Sequence, residues 1–339
     1  MRNALPNEFY DGKHKPLAFE REKDWPLVSV SILAYNQRDL IGRALDSVIA
    51  QRVDFTYEII VGDDCSDDGT QEVLLEYQRR HPDLIQLVLH PRRYQEIPGR
   101  TNNITNLMAC RGKYTALLDG DDYWNNPQKL QRQVDVLEAD NRYVACFHDS
   151  AYELEKGHNG FKFLPTTLNG KIGNPPSGCY GLADLVLLQN VLLKPSTLLF
   201  RTRVFGDFPD WFDRVIFADV ILVSLIAERG DLYYDDQPMA IQYLNQGSFT
   251  QVYMGDDKII TGRLWELDML VQRYSKLGDS EHLNKVRNGE LFKLAAIRYR
   301  SGRYYSSFLH LLTTIQRSPV VATKRIASVL RSRIQDRRK

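Results

Sequence analysis

The sequence has no run of about 18 consecutive apolar residues, so a membrane-crossing helix is not expected. Its longest greasy stretch, Ile216 to Ala227, is broken by Asp219 and Ser224. The first residues, MRNALPNEFYDGKHKP, lack an apolar centre, which argues against a secretory signal and makes the cytoplasm the expected location. Cysteine is sparse. Cys65, Cys110, Cys146 and Cys179 stand far apart without a C-x-x-C pair, a spacing that suits neither a zinc site nor a disulfide framework. The 14 Pro and 21 Gly follow no period, which excludes a collagen-like chain. No G-x-G-x-x-G follows the first strand-like segment and no G-x-x-x-x-G-K-[ST] occurs, so dinucleotide oxidoreductases and P-loop NTPases lose their main support.

What is present is ordinary in bulk and uneven in distribution. With 339 residues, 43% hydrophobic and 26% charged, the chain suits one large domain or two coupled halves. Its net charge of +1 conceals an asymmetry. Lys276 to Lys339 carry 15 Lys and Arg against 4 Asp and Glu, leaving 29 basic and 39 acidic residues before them. A mildly acidic body therefore precedes a strongly basic end, which points to an anionic surface.

Periodicity orders the first half. Val28–Leu33, Tyr57–Gly62, Ile85–Leu89 and Tyr114–Leu118 read as strands, and Asp39–Ala50, Thr70–Arg80 and Asn102–Ala109 as helices. This alternation predicts a mostly parallel sheet covered on both sides, with ligands gathering at the carboxyl ends of its strands. Beyond it, Asp184–Leu192 and Val220–Glu228 read as buried helices, Ser196–Phe200 as a strand, and the chain from about Asp257 as helical.

Three acidic stations fall where such a sheet wants a ligand: Gly62-Asp63-Asp64-Cys65-Ser66-Asp67-Asp68-Gly69-Thr70, Asp119-Gly120-Asp121-Asp122-Tyr123-Trp124, and Asp219 alone among apolar neighbours. Carboxylates clustered on a turn after a strand are hard oxygen ligands suited to Mg²⁺ or Mn²⁺, with water and phosphate completing the shell. The alternative is a turn whose Asp caps the following helix, and Asp67-Asp68-Gly69-Thr70 reads that way. Asp219 has the same two readings, a general base or a residue capping the next helix. His148-Asp149 has the look of a catalytic dyad but no nucleophile motif beside it, so a structural role is expected.

These segments in this order, with Pro127 and Leu130 following, resemble family 2 glycosyltransferases of the GT-A fold, especially bacterial members that build surface polysaccharide and lipopolysaccharide. The resemblance covers roughly Pro26 to Ser248. It implies an α/β fold with a mostly parallel sheet flanked by helices and a helical C-terminal extension. The expected division is a leader (1–26), a GT-A domain (27–250) and a basic helical extension (251–339). Within the domain, 27–125 would hold the nucleotide sugar and 126–250 the acceptor. The resemblance implies that Leu33, Ala34 and Tyr35 cradle the nucleobase, that Asp64 hydrogen-bonds it, and that Asp119 and Asp121 serve the donor. Asp121 and Asp122 are the favoured ligands of a Mn²⁺ or Mg²⁺ ion, and Asp219 matches the catalytic base. Tyr123 and Trp124 would support the metal loop and an acceptor subsite, with plain aromatic packing as the alternative.

The implied reaction is inverting sugar transfer from a nucleotide-diphosphate donor, a UDP-sugar being favoured, to a glycan or lipid-linked acceptor. A nucleotidyltransferase and a non-catalytic nucleotide-sugar-binding scaffold are the competing readings. Two departures stand out. Leu33 occupies a position where many members have Pro, and in Gln242-Tyr243-Leu244-Asn245-Gln246-Gly247-Ser248 the residues Tyr243 and Asn245 replace an Arg and a His. Diphosphate charge would then rest on the metal, or on Arg92, Arg93 or Arg100. The segment Ser318–Lys339, with 7 Lys and Arg against Asp336, is expected to touch anionic membrane as a basic amphipathic helix. It lacks aromatics to stack on bases, so nucleic acid is not an expected partner.

Overall fold

The computed structural model describes residues 24–93, 97–154, 176–182, 184, 194–204, 206–244, 256–275 and 281–300. The expected leader up to residue 23, the loop over 155–175, most of the helix expected over 184–192 and the basic end from 301 onward lie outside them. The chain divides into compact units, with the division between Asn245 and Gln246.

The first unit is built on a sheet. Strand β1 (Val28–Ala34) is buried along nearly its whole length, as a central parallel strand covered on both faces must be. Its alternate residues separate the two faces. Val28, Val30 and Ile32 join one apolar cluster with Ile41, Ala44, Leu45 and Val48 of helix α1 (Ile41–Ile49) and Leu74 of α2 (Thr70–Arg80). Ser29 and Ser31 face the other way. Ser29 Oγ donates to Glu58 at 2.6 Å, and Ser31 Oγ accepts from Asn106 of α3 (Arg100–Ala109) at 2.7 Å, so neither buried hydroxyl is left unsatisfied.

Strands β2 (Tyr57–Asp63) and β4 (Tyr114–Asp119) flank β1 in parallel, and β3 (Ile85–Leu89) lies parallel beside β2. This is the expected alternating half, with boundaries within two residues of expectation. The rest of the sheet is mixed. β8 (Leu199–Arg201) pairs antiparallel with both β4 and β6 (Tyr143–Leu154), and β9 (Asp231–Leu244) runs parallel to β6. Short β5 (Tyr123–Trp124) and β7 (Gly178–Tyr180) lie antiparallel on β9. The strand expected over Ser196–Phe200 is instead a 3-10 turn, Pro195–Thr197, followed by β8. Pro195 explains the change, because its fixed φ suits the start of a helical turn and its missing N–H weakens a strand.

Helix α4 (Lys129–Ala139) covers the apolar cluster through Leu130, Val134 and Leu137, and α5 (Ala218–Ala227) is buried from Val220 to Ala227. In the second unit, α6 (Asp257–Arg273) is capped by Asp256, whose carboxylate accepts from Lys258 and Ile259 amides. It packs on α7 (Glu281–Arg300) through Ile260, Leu264, Leu291 and Leu294, with ion pairs Asp268–Arg287 and Asp257–Arg298 between the helices. Among the described residues, no helix is long and apolar enough to cross a membrane.

Candidate functional site

The parallel strands end together. Leu33 stands opposite Gly62 on one side and Asp119 on the other, so the loops after β1, β2 and β4 share one edge. Backbone bonds fasten them: Asp64 N–H donates to Ala34 O at 3.0 Å, and Gly120 N–H donates to Leu33 O at 2.9 Å. A Cβ on Gly120 would lie 2.8 Å from that same Leu33 carbonyl, so the close approach requires glycine there.

The first acidic station divides in two. Asp63, fully buried, closes its own loop by accepting from Ser66 N–H at 3.0 Å and Gln71 Nε2 at 2.6 Å. Asp67 and Asp68 tie this loop to the one after β1. Asn36 and Asp67 exchange hydrogen bonds at 2.9 and 3.0 Å, and Arg38 N–H donates to Asp68 at 3.0 Å. Asp67–Thr70 is thus the turn that opens α2, with Asp68 accepting from Thr70 N–H at 2.9 Å, but the helix is capped by Gly69 without a side-chain bond, so neither Asp is its cap residue. Asp64 behaves differently. Its Oδ2 accepts from Gly99 N–H at 3.1 Å and lies 3.5 Å from Arg93 Nε, while its buried Oδ1 has no hydrogen-bond partner among the described residues. Burial pushes the Asp64 carboxyl up, partly offset by the Gly99 amide and Arg93. Arg93 also donates to Tyr35 Oη at 2.7 Å and its guanidinium lies 3.7 Å above that ring. Of the cations offered for diphosphate, Arg93 thus belongs with Tyr35 and Asp64. Arg100 is committed elsewhere: buried, it donates to Val215 O at 2.9 and 2.6 Å and to Ile216 O at 3.1 Å, fixing the segment that leads into α5.

The second station is a tight turn, with Asp122 N–H donating to Asp119 O at 3.0 Å. Asp122 is buried, and each carboxylate oxygen takes one hydrogen bond, Oδ1 from Tyr243 N–H at 3.0 Å and Oδ2 from Ser196 Oγ at 2.5 Å. Asp121 beside it is half-exposed. Burial, followed by the charges of Asp119 and Asp121, pushes Asp122 well up; burial, followed by Asp121 and Asp219, does the same to Asp119. Asp219 therefore lies near enough to the turn for its charge to act on Asp119. Asp219 stands in the first turn of α5, where the helix N-terminus favours an anion. The helix is capped by Phe217 without a side-chain bond, so Asp219 is not its cap residue.

Among the described residues no three His, Cys, Asp and Glu side chains enclose a metal position by themselves. The carboxylates at Asp121 and Asp122 nevertheless fit Mg²⁺ or Mn²⁺: they are hard donors, and a cation would offset the burial and the neighbouring negative charges that raise Asp119 and Asp122. Trp124 is fixed from behind, with Nε1 donating to Ser196 O at 2.9 Å and the buried Lys129 Nζ 3.9 Å over its ring. Burial holds the Lys129 amine well below its ordinary range, and Gln133 accepts from it at 2.8 Å. His148 is a core residue, its Nδ1 bonded to Asp149 O at 2.7 Å, as the structural expectation had it. Two residues of this region, Ser196 and Tyr243, had no site role in the sequence reading; their contacts are with Asp122, 74 and 121 positions away, and no local pattern announces them.

Residues 29–177 match the family described as Glycosyl transferase family 2. An uncharacterized protein of Mycobacterium tuberculosis is 31% identical over 212 residues, 61% of this chain and 58% of that protein. The chain thus spans less than two thirds of the mycobacterial relative's length. The Escherichia coli UDP-Glc:alpha-D-GlcNAc-diphosphoundecaprenol beta-1,3-glucosyltransferase WfaP is 28% identical over 213 residues, 61% of this chain and 74% of WfaP. Staphylococcus aureus TarS residues 1–349, solved with UDP-GlcNAc, superimpose with a TM-score of 0.59 at 17% identity over 86% of this chain and 81% of that one. The likeness to TarS establishes the fold.

Proposed function

Since residues 29–177 match the family 2 glycosyltransferases, we propose that the protein is an inverting glycosyltransferase of bacterial surface polysaccharide synthesis, moving a sugar from a nucleotide-diphosphate donor to a glycan or lipid-linked hydroxyl. The observation that carries this reading is the shared sheet edge of Asp64 and the Asp119–Asp122 turn, with Asp219 near enough for its charge to raise Asp119. A base stacking on Tyr35, in the cradle of Leu33 and Ala34, would present a ring N–H to Asp64 Oδ1, the buried oxygen that lacks a donor. A UDP-sugar is the favoured donor, in keeping with the name of WfaP and the UDP-GlcNAc bound by TarS.

Asp121 and Asp122 would hold a Mn²⁺ or Mg²⁺ ion, and Asp119 and Asp121 the ribose side of the donor. When bound, the ion supplies Lewis-acid stabilisation of the departing diphosphate. The chain's own part is to orient the donor and to remove a proton. Asp219 Oδ takes the proton of the acceptor hydroxyl as that oxygen attacks the anomeric carbon from the face opposite the leaving group. The membrane contact of 318–339 belongs to the same reading, since a lipid-linked acceptor is presented at a bilayer.

The test is incubation of the full chain with a panel of radiolabelled nucleotide sugars and Mn²⁺, with and without lipid-linked and glycan acceptors. Release of nucleoside diphosphate with transfer or hydrolysis of the sugar is the expected result. Pyrophosphate release would instead identify a nucleotidyltransferase, and tight binding without turnover a scaffold.

A further inference from the structure

We propose that Ser196 is a positioning residue for ion and donor binding: its buried hydroxyl bridges the two ends of the acidic turn and holds Asp121 and Asp122 in the shape the ion needs. The inference rests on the reading of that turn given above.

Ser196 lies in the turn Pro195–Thr197, far from the acidic motif in sequence, and is wholly buried. Its Oγ–H donates to Asp122 Oδ2 at 2.5 Å, and the same oxygen accepts from Asp119 N–H at 3.3 Å. One hydroxyl therefore spans Asp119 and Asp122 and brackets Asp121 between them. Tyr243 N–H holds the second oxygen of Asp122. A carboxylate held at both oxygens has a fixed plane; held at one, it rotates. Partners that orient metal-binding carboxylates in this way commonly set affinity by about 10- to 100-fold.

The surroundings separate this task from ordinary packing. The backbone around Ser196 is secured by bonds that do not involve the hydroxyl. Thr197 O accepts from Gln133 at 2.8 Å, Ser196 O accepts from Trp124 Nε1 at 2.9 Å, and Leu198 O accepts from Leu117 N–H at 3.1 Å. Removing Oγ leaves those bonds in place and releases only the turn. The effect should therefore fall on the ion more than on the fold.

The experiment is calorimetric titration of the full-length wild type and Ser196→Ala with UDP at stepped Mn²⁺ concentrations, with Tm recorded for each. In Ser196→Ala the Mn²⁺ concentration that gives half of the ion's effect on UDP affinity should rise about tenfold or more. Ser196→Thr, which restores a hydroxyl, should recover most of the loss. Ser196→Cys, close in volume but a feeble donor, should behave like Ala and serves if the alanine variant does not fold. A lowered Tm with unchanged Mn²⁺ dependence overturns the proposal by making Ser196 merely structural. A wild type whose UDP affinity ignores Mn²⁺ overturns the ion reading and this inference together, a pattern distinct from the first.

Discussion

Asp219→Asn separates catalysis from structure by magnitude. The substitution keeps the side chain's shape and removes its charge and its capacity to take a proton. Two structural effects oppose each other. Asp219 stands in the first turn of α5, and losing an anion there costs about 0.3–1 kcal/mol. Its charge also raises Asp119, so removing it relieves repulsion at the turn. The net change in stability should stay within about 1 kcal/mol, a Tm shift of a few degrees for a unit of this size. A general base contributes about 10²- to 10⁴-fold, or roughly 3–5 kcal/mol of barrier. The kinetic effect is therefore several times the structural one. Donor turnover should fall at least a hundredfold while UDP affinity in Mn²⁺ changes by less than about twofold, since the base acts in the transition state. Asp219→Glu, which keeps the charge but displaces it by a methylene, should also lose heavily. Radiometric transfer, calorimetry and a melting curve on the same preparations decide the matter. Turnover within about threefold of wild type would sink the base assignment. Collapse of UDP affinity together with turnover would make Asp219 a donor contact instead.

Other perturbations address other parts of the structure. Arg100→Ala should lower stability by about 2–3 kcal/mol in urea, because the Val215 and Ile216 carbonyls lose a charged donor, while UDP affinity holds; weakened UDP binding at unchanged stability would return Arg100 to the diphosphate. His148 is held well below its ordinary range, first by burial and then by Lys129, so it stays neutral in the fold while the unfolded chain takes up a proton near pH 6.5. Its contribution is therefore complete above that pH and lost as pH falls, by up to about 1.4 kcal/mol per unit, and His148→Asn should flatten the slope of urea midpoint against pH between about 6.5 and 5. Equal slopes in the two proteins would contradict it. Truncation after Arg317 should abolish salt-sensitive sedimentation with anionic vesicles, and equal sedimentation of both forms at low salt would refute the membrane contact.

The legible part of the fold was its local part. Strands β1 to β4 and helices α1 and α2 carry short apolar runs or helical spacing with clear breaks, and the sequence reading located them within two residues. Strand β9 escaped notice because its middle, Asp235-Asp236-Gln237-Pro238, carries charge and proline where an inner strand should be apolar. The register with β6 jumps there from His148–Asp235 to Asp149–Pro238, so the irregular residues fall in a bulge and the ladder continues beyond it. The site divides along the same line. Asp64 follows β2 directly, Asp119 ends β4 and Asp121 and Asp122 come just after it, so their clustering could be read from position. Separating Asp63 from Asp64, withdrawing Arg100 from the donor and finding Ser196 required distances between segments that no local pattern encodes.

The bond from Tyr243 to Asp122 has a consequence for how the protein is made. An amide near the end of β9 secures a carboxylate 121 residues upstream. On a ribosome, strands β1 to β4 can pair while the remainder of the unit is still being synthesised, because all their partners in the parallel half lie at or before Asp119. The acidic turn then waits. Until β9 has emerged and paired along β6, Asp122 lacks its Tyr243 anchor, and the nascent chain holds strands β1 to β4 beside an unfinished acidic turn. Acquisition of Mn²⁺-dependent UDP binding should thus coincide with the emergence of β9, and arrested chains ending before Asp231 should have folded β1 to β4 without it.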